Sequence, residues 1–310
     1  MSDAAPLPTG SAIKADWPSF LSATASSLEE AQAYCRQLAQ SHYENFVVAS
    51  LFLPSHLRQP FYDLYAYCRI SDDLGDETGD PALSLELLAQ WEQMVRNCYS
   101  GTVLHPVFIS LGQTIERFEI PIRPFLDLLQ AFRMDQIKKR YETYDELLEY
   151  CRFSANPVGR LVLYLGGYRD AERQSLSDQT CTGLQLANHW QDIALDFRRL
   201  DRIYLPREDM QQFGYTETDL QNGVCDERFR ELMAFEGARA RAMFQEGIKL
   251  VRLVDRRMAR DIYLFNLAGL EVLNLLKKNG YNIFVKRPAI SKTRAMGLVL
   301  RSWWQNRSLK

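Results

Sequence analysis

Helical spacing of apolar residues is the feature that most limits how this chain can fold. From Leu28 almost to the C-terminus, good helix formers dominate and apolar residues recur three and four positions apart. Alternating β-branched runs bounded by Asn-Gly or Asp-Gly turns do not appear. No low-complexity linker divides residues 28–280. The sequence therefore predicts an all-α fold, with a single helical domain over residues 28–310.

The first 27 residues differ in composition from the rest. They are rich in Ala, Ser, Pro and Thr, which predicts a loose N-terminal leader over residues 1–27. They lack the regions of a signal peptide, and no apolar run reaches the roughly 18 residues of a membrane span. Six cysteines without CxxC or zinc-ligand spacing predict free thiols in a reducing compartment. We therefore expect a cytoplasmic protein.

The charge of the chain argues against one class of partner. The 310 residues carry a formal net charge of −2, and without a basic bias nucleic acid is not an expected partner. A weakly acidic protein that binds an anionic substrate needs local arginines, local lysines or bound cations.

Two segments carry the strongest chemical signal. Residues 65–77 read YAYCRISDDLGDE, and residues 185–196 read QLANHWQDIALD. A helix turns about 100° per residue, so the polar residues of each segment share one face. The two faces carry Tyr65, Arg69, Asp72 and Asp76 in the first segment, and Gln185, Asn188, Asp192 and Asp196 in the second.

Each of these helices presents two carboxylates one turn apart: Asp72 and Asp76 form the first acidic motif, and Asp192 and Asp196 form the second. Like charges in an apolar helix are destabilising unless a cation lies between them. Mg²⁺ suits such a site because it binds one or two carboxylates together with substrate phosphate oxygens. A single acidic pair is commonly a solvated face. Two pairs on largely apolar helices instead predict facing helices around a cluster of metals and a diphosphate.

The chain resembles the squalene/phytoene synthase family over roughly residues 42–292. The resemblance implies the isoprenoid-synthase helical fold, one bundle around a deep apolar cavity with the Asp motifs at its mouth. Four blocks carry it: residues 42–46 (HYENF) with 51–54 (LFLP), 72–77 (DDLGDE), 150–159 (YCRFSANPVG), and 188–196 continuing to 202–206 (RIYLP).

The resemblance also implies roles for individual residues. The implied magnesium ligands are Asp72, Asp76, Asn188, Asp192 and Asp196, with Gln185 beside the second motif. Tyr65 and Arg69 would contact the diphosphate or its neighbours. The residues that would hold the departing diphosphate are Arg160, Arg199, Arg202, Tyr281 and Arg287.

Within the family, the pattern is most similar to the hydroxysqualene synthases of bacterial hopanoid pathways. Glu44, Asn45, Gln191 and residues 154–158 carry this similarity. It implies ionisation of presqualene diphosphate, rearrangement of the cyclopropylcarbinyl cation and capture of water, with Mg²⁺ and without NADPH. Condensing relatives tend to have basic and hydroxyl residues where this chain has Glu44 and Asn45, and Arg where it has Gln191. Loss of cationic groups fits an enzyme that binds one diphosphate instead of two.

A carbocation needs a dry pocket lined by aromatic rings. Tyr43, Phe46 and Phe153 lie in the family blocks and are predicted near the cation, with Asn45 also predicted to contact substrate. Core packing explains most other aromatic residues. Either Asn156 or Gln191 is predicted to orient the attacking water. For Asn156, a helix-capping or helix-breaking role before a proline is the alternative.

Residues 286–310 contain seven Lys or Arg, no Asp or Glu, and apolar residues that include Leu298, Leu300 and Trp303. Two interpretations stay open for this C-terminal stretch. It is either a basic amphipathic segment that contacts an anionic membrane at its periphery, or a surface helix packed on the bundle while Arg287 serves the active site. The expected partners are a prenyl diphosphate substrate and, by association, neighbouring enzymes of the squalene pathway.

Two other functions stay open at this stage. One is a condensing synthase that makes presqualene diphosphate, squalene or phytoene from two prenyl diphosphates. The other is an inactive prenyl-lipid carrier or assembly partner. The intact acidic motifs argue against an inactive protein, because nothing would keep like charges together there.

Overall fold

The computed structural model describes residues 17–41 and 54–305, and it describes their side chains except for Pro18 and residues 303–305. The chain divides into two compact units, Met1–Ile137 and Lys138–Lys310. The named secondary-structure elements of the described residues are all helices, and one isolated β-bridge joins Arg140 and Ile203. The all-α prediction is therefore confirmed, while the single-domain organisation and the central cavity stay predictions.

The first unit contains short and medium helices around α3. They are α1 (Trp17–Leu21), α2 (Leu28–Ser41), α3 (Ser55–Asp76), α4 (Pro81–Ser100), α5 (Pro106–Phe118) and α6 (Arg123–Ile137). The N-terminus of α4 shows how local sequence sets a boundary: Pro81 is its first residue, and the Asp80 side chain accepts a hydrogen bond from the Ala82 amide at 2.9 Å.

Part of the predicted N-terminal leader is packed against the first unit. Trp17, Phe20 and Leu21 of α1 are buried, and the Phe20 ring lies 5.4 Å from the His105 ring at the start of α5. The structure thus differs from the prediction over residues 17–21, because three large apolar side chains outweigh a loop-like composition. Residues 22–27 form turns and irregular backbone. Residues 1–16 lie outside the described residues.

A buried carboxylate fixes the position of α3. Asp63 accepts hydrogen bonds from the hydroxyls of Ser110 and Thr114 on α5, both at 2.6 Å. Gln59 donates to Asp63 at 2.9 Å and to the Gln32 carbonyl on α2 at 3.1 Å. Burial raises the pKa of Asp63, and these donors oppose the rise. The network ties α3 to α2 and α5, and so it sets where the acidic end of α3 lies within this unit.

An aromatic core completes the support of α3. The Tyr67 hydroxyl donates to the Phe125 carbonyl on α6 at 2.9 Å, and Trp91 of α4 donates to the Ser71 hydroxyl at 3.1 Å. Tyr67 and Phe125 also meet edge to face, with ring centroids 5.0 Å apart. Large buried rings with satisfied polar atoms give α3 a defined rotation about its axis.

The second unit is organised along one long helix. Its helices are α7 (Tyr144–Ser154), α8 (Asn156–Leu165), α9 (Ala171–Leu200), α10 (Arg207–Gln212), α11 (Glu217–Gln221), α12 (Glu227–Gly247), α13 (Arg256–Lys278) and α14 (Lys292–Gln305), with a 3₁₀ turn at Ile248–Arg252. Asp170 caps the start of α9, and Asp201, with a left-handed φ of 53°, ends it. Phe244 of α12 fills the space beside Gly183 of α9 and Gly269 of α13, so these helices pack closely.

A buried ion network joins α7, α10 and α12. Arg239 of α12 binds Asp209 of α10 at 2.6 Å and Glu236 at 3.3 Å, and both carboxylates are almost fully buried. The guanidinium also lies 4.0 Å from the centre of the Tyr144 ring. Burial first, and then the hydrogen bond with Asp209, raise the pKa of Glu236 to about 9. Glu236 is therefore a neutral acid at pH 7.

Two further expectations bear on the chain as a whole. The six cysteines are free thiols, as predicted. Across the described helices, none has the length and apolar content needed to cross a bilayer.

Candidate active site

The first acidic motif occupies the C-terminal end of α3. Arg69 binds Asp72 at 3.3 Å and also binds Asp73. Burial first, and then the negative charge of Asp76, raise the pKa of Asp72 to about 7, while Arg69 opposes the rise. Because 45% of the Asp72 side chain stays exposed, repulsion by Asp76 is the cause that the local geometry supports most directly. Two carboxylates that repel each other on a fixed helix are stabilised by a bound cation.

Asp73 is a site residue that the sequence analysis did not assign. It is buried and receives the guanidinium of Arg69 from one turn earlier. Tyr65, a further turn back, is half-buried, and burial raises its pKa. The i,i+4 spacing of Arg69 and Asp73 is the signal that would have indicated this ion pair. The pair holds Arg69 beside the acidic face.

The second acidic motif lies near the C-terminal end of α9 and has a cation of its own. Asp192 is buried, and its carboxylate binds the Arg287 guanidinium through two nitrogens, with Nη2–Oδ2 at 2.8 Å. The hydrogen bond from Arg287 to Asp192 is the main cause that raises the pKa of Arg287. A bidentate pair of this kind fixes the orientation of both groups.

The Gln191 side chain forms hydrogen bonds with the segment that carries Arg287. Its side-chain oxygen accepts a hydrogen bond from Arg287 Nη2 at 3.2 Å, and its side-chain nitrogen donates to the carbonyl of Pro288. Both ends of the amide are therefore engaged by consecutive residues that follow α13. The predicted site residues Gln191, Asp192 and Arg287 are brought together, although Arg287 is 95 residues from Asp192 in the chain.

The remaining polar residues of α9 differ in exposure. Gln185 is half-buried and lies within hydrogen-bond distance of His189, with 3.3 Å between the two side-chain nitrogens. Asn188 is exposed and Asp196 is half-buried. The Asp196 carbonyl accepts a hydrogen bond from the Arg202 amide at 3.2 Å, which closes the end of the helix.

An aromatic cluster surrounds His189, and the sequence analysis did not predict it. The His189 ring stacks on Tyr204 at 3.6 Å, and Tyr150 lies 6.0 Å away. Burial first, and then the charge of Arg202, lower the pKa of His189 to about 3. The imidazole is therefore neutral at physiological pH and packs as one of the rings of this aromatic cluster.

Several predicted site residues have other partners within the second unit. Arg160 forms a bidentate pair with Asp178 of α9, at 2.6 and 3.0 Å. Asn156 is buried as the first residue of α8, and its side-chain oxygen accepts a hydrogen bond from the Thr182 hydroxyl at 2.9 Å. Phe153 is half-buried beneath the exposed guanidinium of Arg152.

Three other predicted site residues of the second unit differ in their exposure to solvent. Arg199 is exposed, Arg202 is buried, and Tyr281 is half-buried with a left-handed φ of 59° just after α13. Tyr43, Asn45 and Phe46, like Glu44, lie outside the described residues, so their predicted roles stay predictions.

The donor set fits a hard divalent cation that is completed by its substrate. Among the residues that the structure describes, no three His, Cys, Asp or Glu side chains converge on one point. Each motif by itself supplies a carboxylate pair. Mg²⁺ is bound in this way, by one or two carboxylates together with water and phosphate oxygens. The residues that would hold it are Asp72 and Asp76 in the first unit, and Asp192 and Asp196 in the second unit, where Asn188 also stays a predicted ligand.

Comparison with known proteins identifies the family of this chain. The family model for squalene/phytoene synthase matches residues 39–294. The 15-cis-phytoene synthase of Synechococcus elongatus is 30% identical, over 90% of this chain and 94% of that protein. The solved squalene synthase HpnC from Alicyclobacillus acidocaldarius is 45% identical, with a TM-score of 0.79 over 85% of this chain and 99% of that one. A dehydrosqualene synthase solved with a ligand is 27% identical, with a TM-score of 0.83 over 91% and 98%.

The helical architecture and two Asp-rich helices define an isoprenoid synthase. The chain belongs to the squalene/phytoene synthase family. Enzymes of this family act in isoprenoid biosynthesis and use a divalent metal.

Proposed function

We propose that this enzyme is a hydroxysqualene synthase, which converts presqualene diphosphate and water into hydroxysqualene and diphosphate. The observation that carries the proposal is Gln191, a neutral residue next to the second acidic motif whose amide holds residues 287–288. The 45% identity to a squalene synthase, against 30% to phytoene synthases, supports a squalene-type product.

The first step breaks the carbon–oxygen bond, and both electrons leave with the diphosphate. The cost of this step is the charge that develops on the leaving oxygens, and preorganised cations lower it. Arg69 and Arg287 are the arginines that each motif already holds in place. Bound Mg²⁺ would add Lewis-acid stabilisation of the same oxygens. The four motif carboxylates would hold the metal, and Gln191 orients Arg287.

The second step captures water on the rearranged cation. Oxygen forms the new bond to carbon, and one proton leaves the water. His189 is too weak a base to accept that proton, because its pKa is about 3. The released diphosphate is the stronger base, and we assign it the proton. Asn156 is our choice for orienting the water, since the amide of Gln191 is already engaged at both ends while Thr182 fixes the plane of the Asn156 amide.

Two substitutions test separately whether Gln191 positions Arg287 and whether Asn156 positions the attacking water. Gln191→Leu is expected to lower turnover roughly 10–100-fold, as loss of an outer orienting partner does, with the alcohol share of the products unchanged. Asn156→Gly is expected to divert product from the alcohol to hydrocarbons formed by proton loss. Chromatographic analysis of the products with initial rates checks both. An unchanged alcohol share in Asn156→Gly would remove Asn156 from this role, and loss of alcohol in Gln191→Leu would transfer the role to Gln191.

The direct test offers purified protein and Mg²⁺ either presqualene diphosphate or farnesyl diphosphate, without NADPH. We expect hydroxysqualene from the first substrate and no product from the second. Farnesyl coupling would overturn the proposal and place the enzyme among the condensing synthases.

A phytoene-type condensation is the second candidate. It is supported by several phytoene synthases that are 26–30% identical over most of this chain. Geranylgeranyl diphosphate is therefore included as a third substrate, and phytoene from it would favour this alternative.

A further inference from the structure

The last helix of the second unit, α14, is packed on one side and exposed to solvent on the other. α14 packs on α13, and Arg294 binds Glu271 of α13 at 2.6 Å. Ser302 is buried, and Ala295 and Leu298 are half-buried. These contacts fix the rotation of α14 about its axis, so its opposite side has a defined set of exposed residues.

The open side has an apolar centre. Met296 is 61% exposed and Leu300 is 60% exposed. At about 100° per residue they lie roughly 40° apart around the helix, and so they form one ridge. Val285, ahead of the helix, is 84% exposed. Exposed apolar groups in a continuous arrangement mark a surface that contacts another molecule or a membrane.

Cations border this ridge. Lys292 lies about 40° from Met296 around the helix, and Arg301 about 100° beyond Leu300. Both are exposed, as is Lys286 next to Val285. Two other cations of the stretch are paired with acidic residues of this protein, Arg287 with Asp192 and Arg294 with Glu271. Residues 286–310 contain no acidic residue, so the border has one sign of charge.

We propose that α14, together with residues 285–286, binds an anionic lipid surface. Met296 and Leu300 enter the boundary between headgroups and acyl chains, and Lys286, Lys292 and Arg301 lie at the level of the lipid phosphates. The apolar ridge and the cations that border it together fit this partner better than a purely polar or purely apolar one. The proposal goes beyond the proposed function, because binding requires neither substrate nor turnover. An apolar product would partition into the same bilayer.

Vesicle sedimentation tests this surface with the full chain. Wild type is expected to sediment with phosphatidylcholine vesicles that contain phosphatidylglycerol, and less in high salt. Lys286→Glu/Lys292→Glu/Arg301→Glu is expected to lower the partition coefficient by more than roughly a hundredfold, since each basic residue near an anionic surface contributes roughly fivefold and each introduced Glu is repelled. Met296→Glu/Leu300→Glu keeps all the cations and is also expected to lower the partition coefficient, because it removes the apolar ridge.

Matched controls isolate the effect of position. Ile137→Glu changes an apolar residue of the first unit that is 78% exposed, and Arg252→Glu/Arg257→Glu removes two exposed cations elsewhere. Both are expected to bind vesicles as wild type does, and circular dichroism verifies that every variant is folded.

Three results would overturn the proposal. The first is that wild type does not sediment with anionic vesicles, and the second is that the control variants lose as much vesicle binding as the α14 variants. The third is that wild type binds no vesicles but forms a concentration-dependent dimer, which Met296→Glu/Leu300→Glu abolishes. The last would assign the ridge to a second copy of the chain. Turnover of detergent-dispersed presqualene diphosphate reports the proposed function separately.

Discussion

Replacing Asp192 by Asn is expected to lower turnover by about 10²–10³-fold, the range seen when one preorganised group is removed from a charge-stabilising site. Asp192 is the buried carboxylate of the second motif, and Arg287 orients it through two nitrogens. Asn keeps the shape but lacks the negative charge that attracts both Arg287 and a divalent cation. Initial rates across a Mg²⁺ titration measure the change. Calorimetric titration with Mg²⁺ and inorganic diphosphate measures the same loss without turnover.

Glu172→Gln provides the matched control for that experiment. Glu172 lies in the first turn of the same helix and is exposed, so its neutralisation changes the charge of α9 away from the motif. Turnover and Mg²⁺ affinity are expected to stay at wild-type levels. Full activity in Asp192→Asn, or an equal loss in Glu172→Gln, would contradict the assignment of Asp192 as a metal ligand.

Arg239→Met is expected to lower the free energy of unfolding by about 3 kcal/mol, because it leaves buried acidic groups without their cation. Met keeps most of the apolar stem and loses both the ion pair with Asp209 and the hydrogen bond to neutral Glu236. Urea unfolding followed by circular dichroism measures the change. Arg228→Met, which removes an exposed arginine paired with Asp219 and Asp226, is the control and is expected to have little effect. A loss in the control as large as in Arg239→Met would contradict the expectation.

Glu236→Gln is expected to raise the free energy of unfolding, in contrast to Arg239→Met, because Glu236 is already neutral at pH 7. Its pKa rises from 4.5 to about 9 on folding, so the folded state keeps a proton that the unfolded chain loses. Its contribution to stability is full below pH 4.5 and falls as the pH rises towards 9. Gln removes this dependence, so the variant should gain stability relative to wild type between pH 5 and pH 8. Urea unfolding at several pH values checks this, and a parallel pH dependence in both proteins would contradict it.

Local features of the site could be predicted from sequence because helical geometry is local. The spacing of Asp72 and Asp76, and of Asp192 and Asp196, places each pair on one face of any regular helix. Both segments are helical, in α3 and α9. Thr143 was predictable as a helix start for the same reason, and its hydroxyl accepts a hydrogen bond from the Glu146 amide at 3.2 Å.

Pairings between distant residues could not be predicted in this way. Arg160 is committed to Asp178, and Asn156 to Thr182, although the sequence analysis assigned Arg160 to diphosphate and left the partner of Asn156 open. The stacking of His189 on Tyr204 likewise depends on how the chain turns after α9. Which of many candidates a side chain meets depends on the packing of whole helices, and no short sequence window contains that information.

The sequence by itself determined the all-α class, the two acidic faces and the family, because periodicity and motif spacing are properties of short segments. Tertiary structure decided which charges these faces meet. It brought Arg287 to Asp192, with Gln191 holding both Arg287 and Pro288. It also placed Glu271 beside Arg294, while Lys292 and Arg301 have no acidic residue within their own stretch. Residues of the same type and similar sequence context differ in role because the folded chain places an acidic partner beside some of them and not beside others.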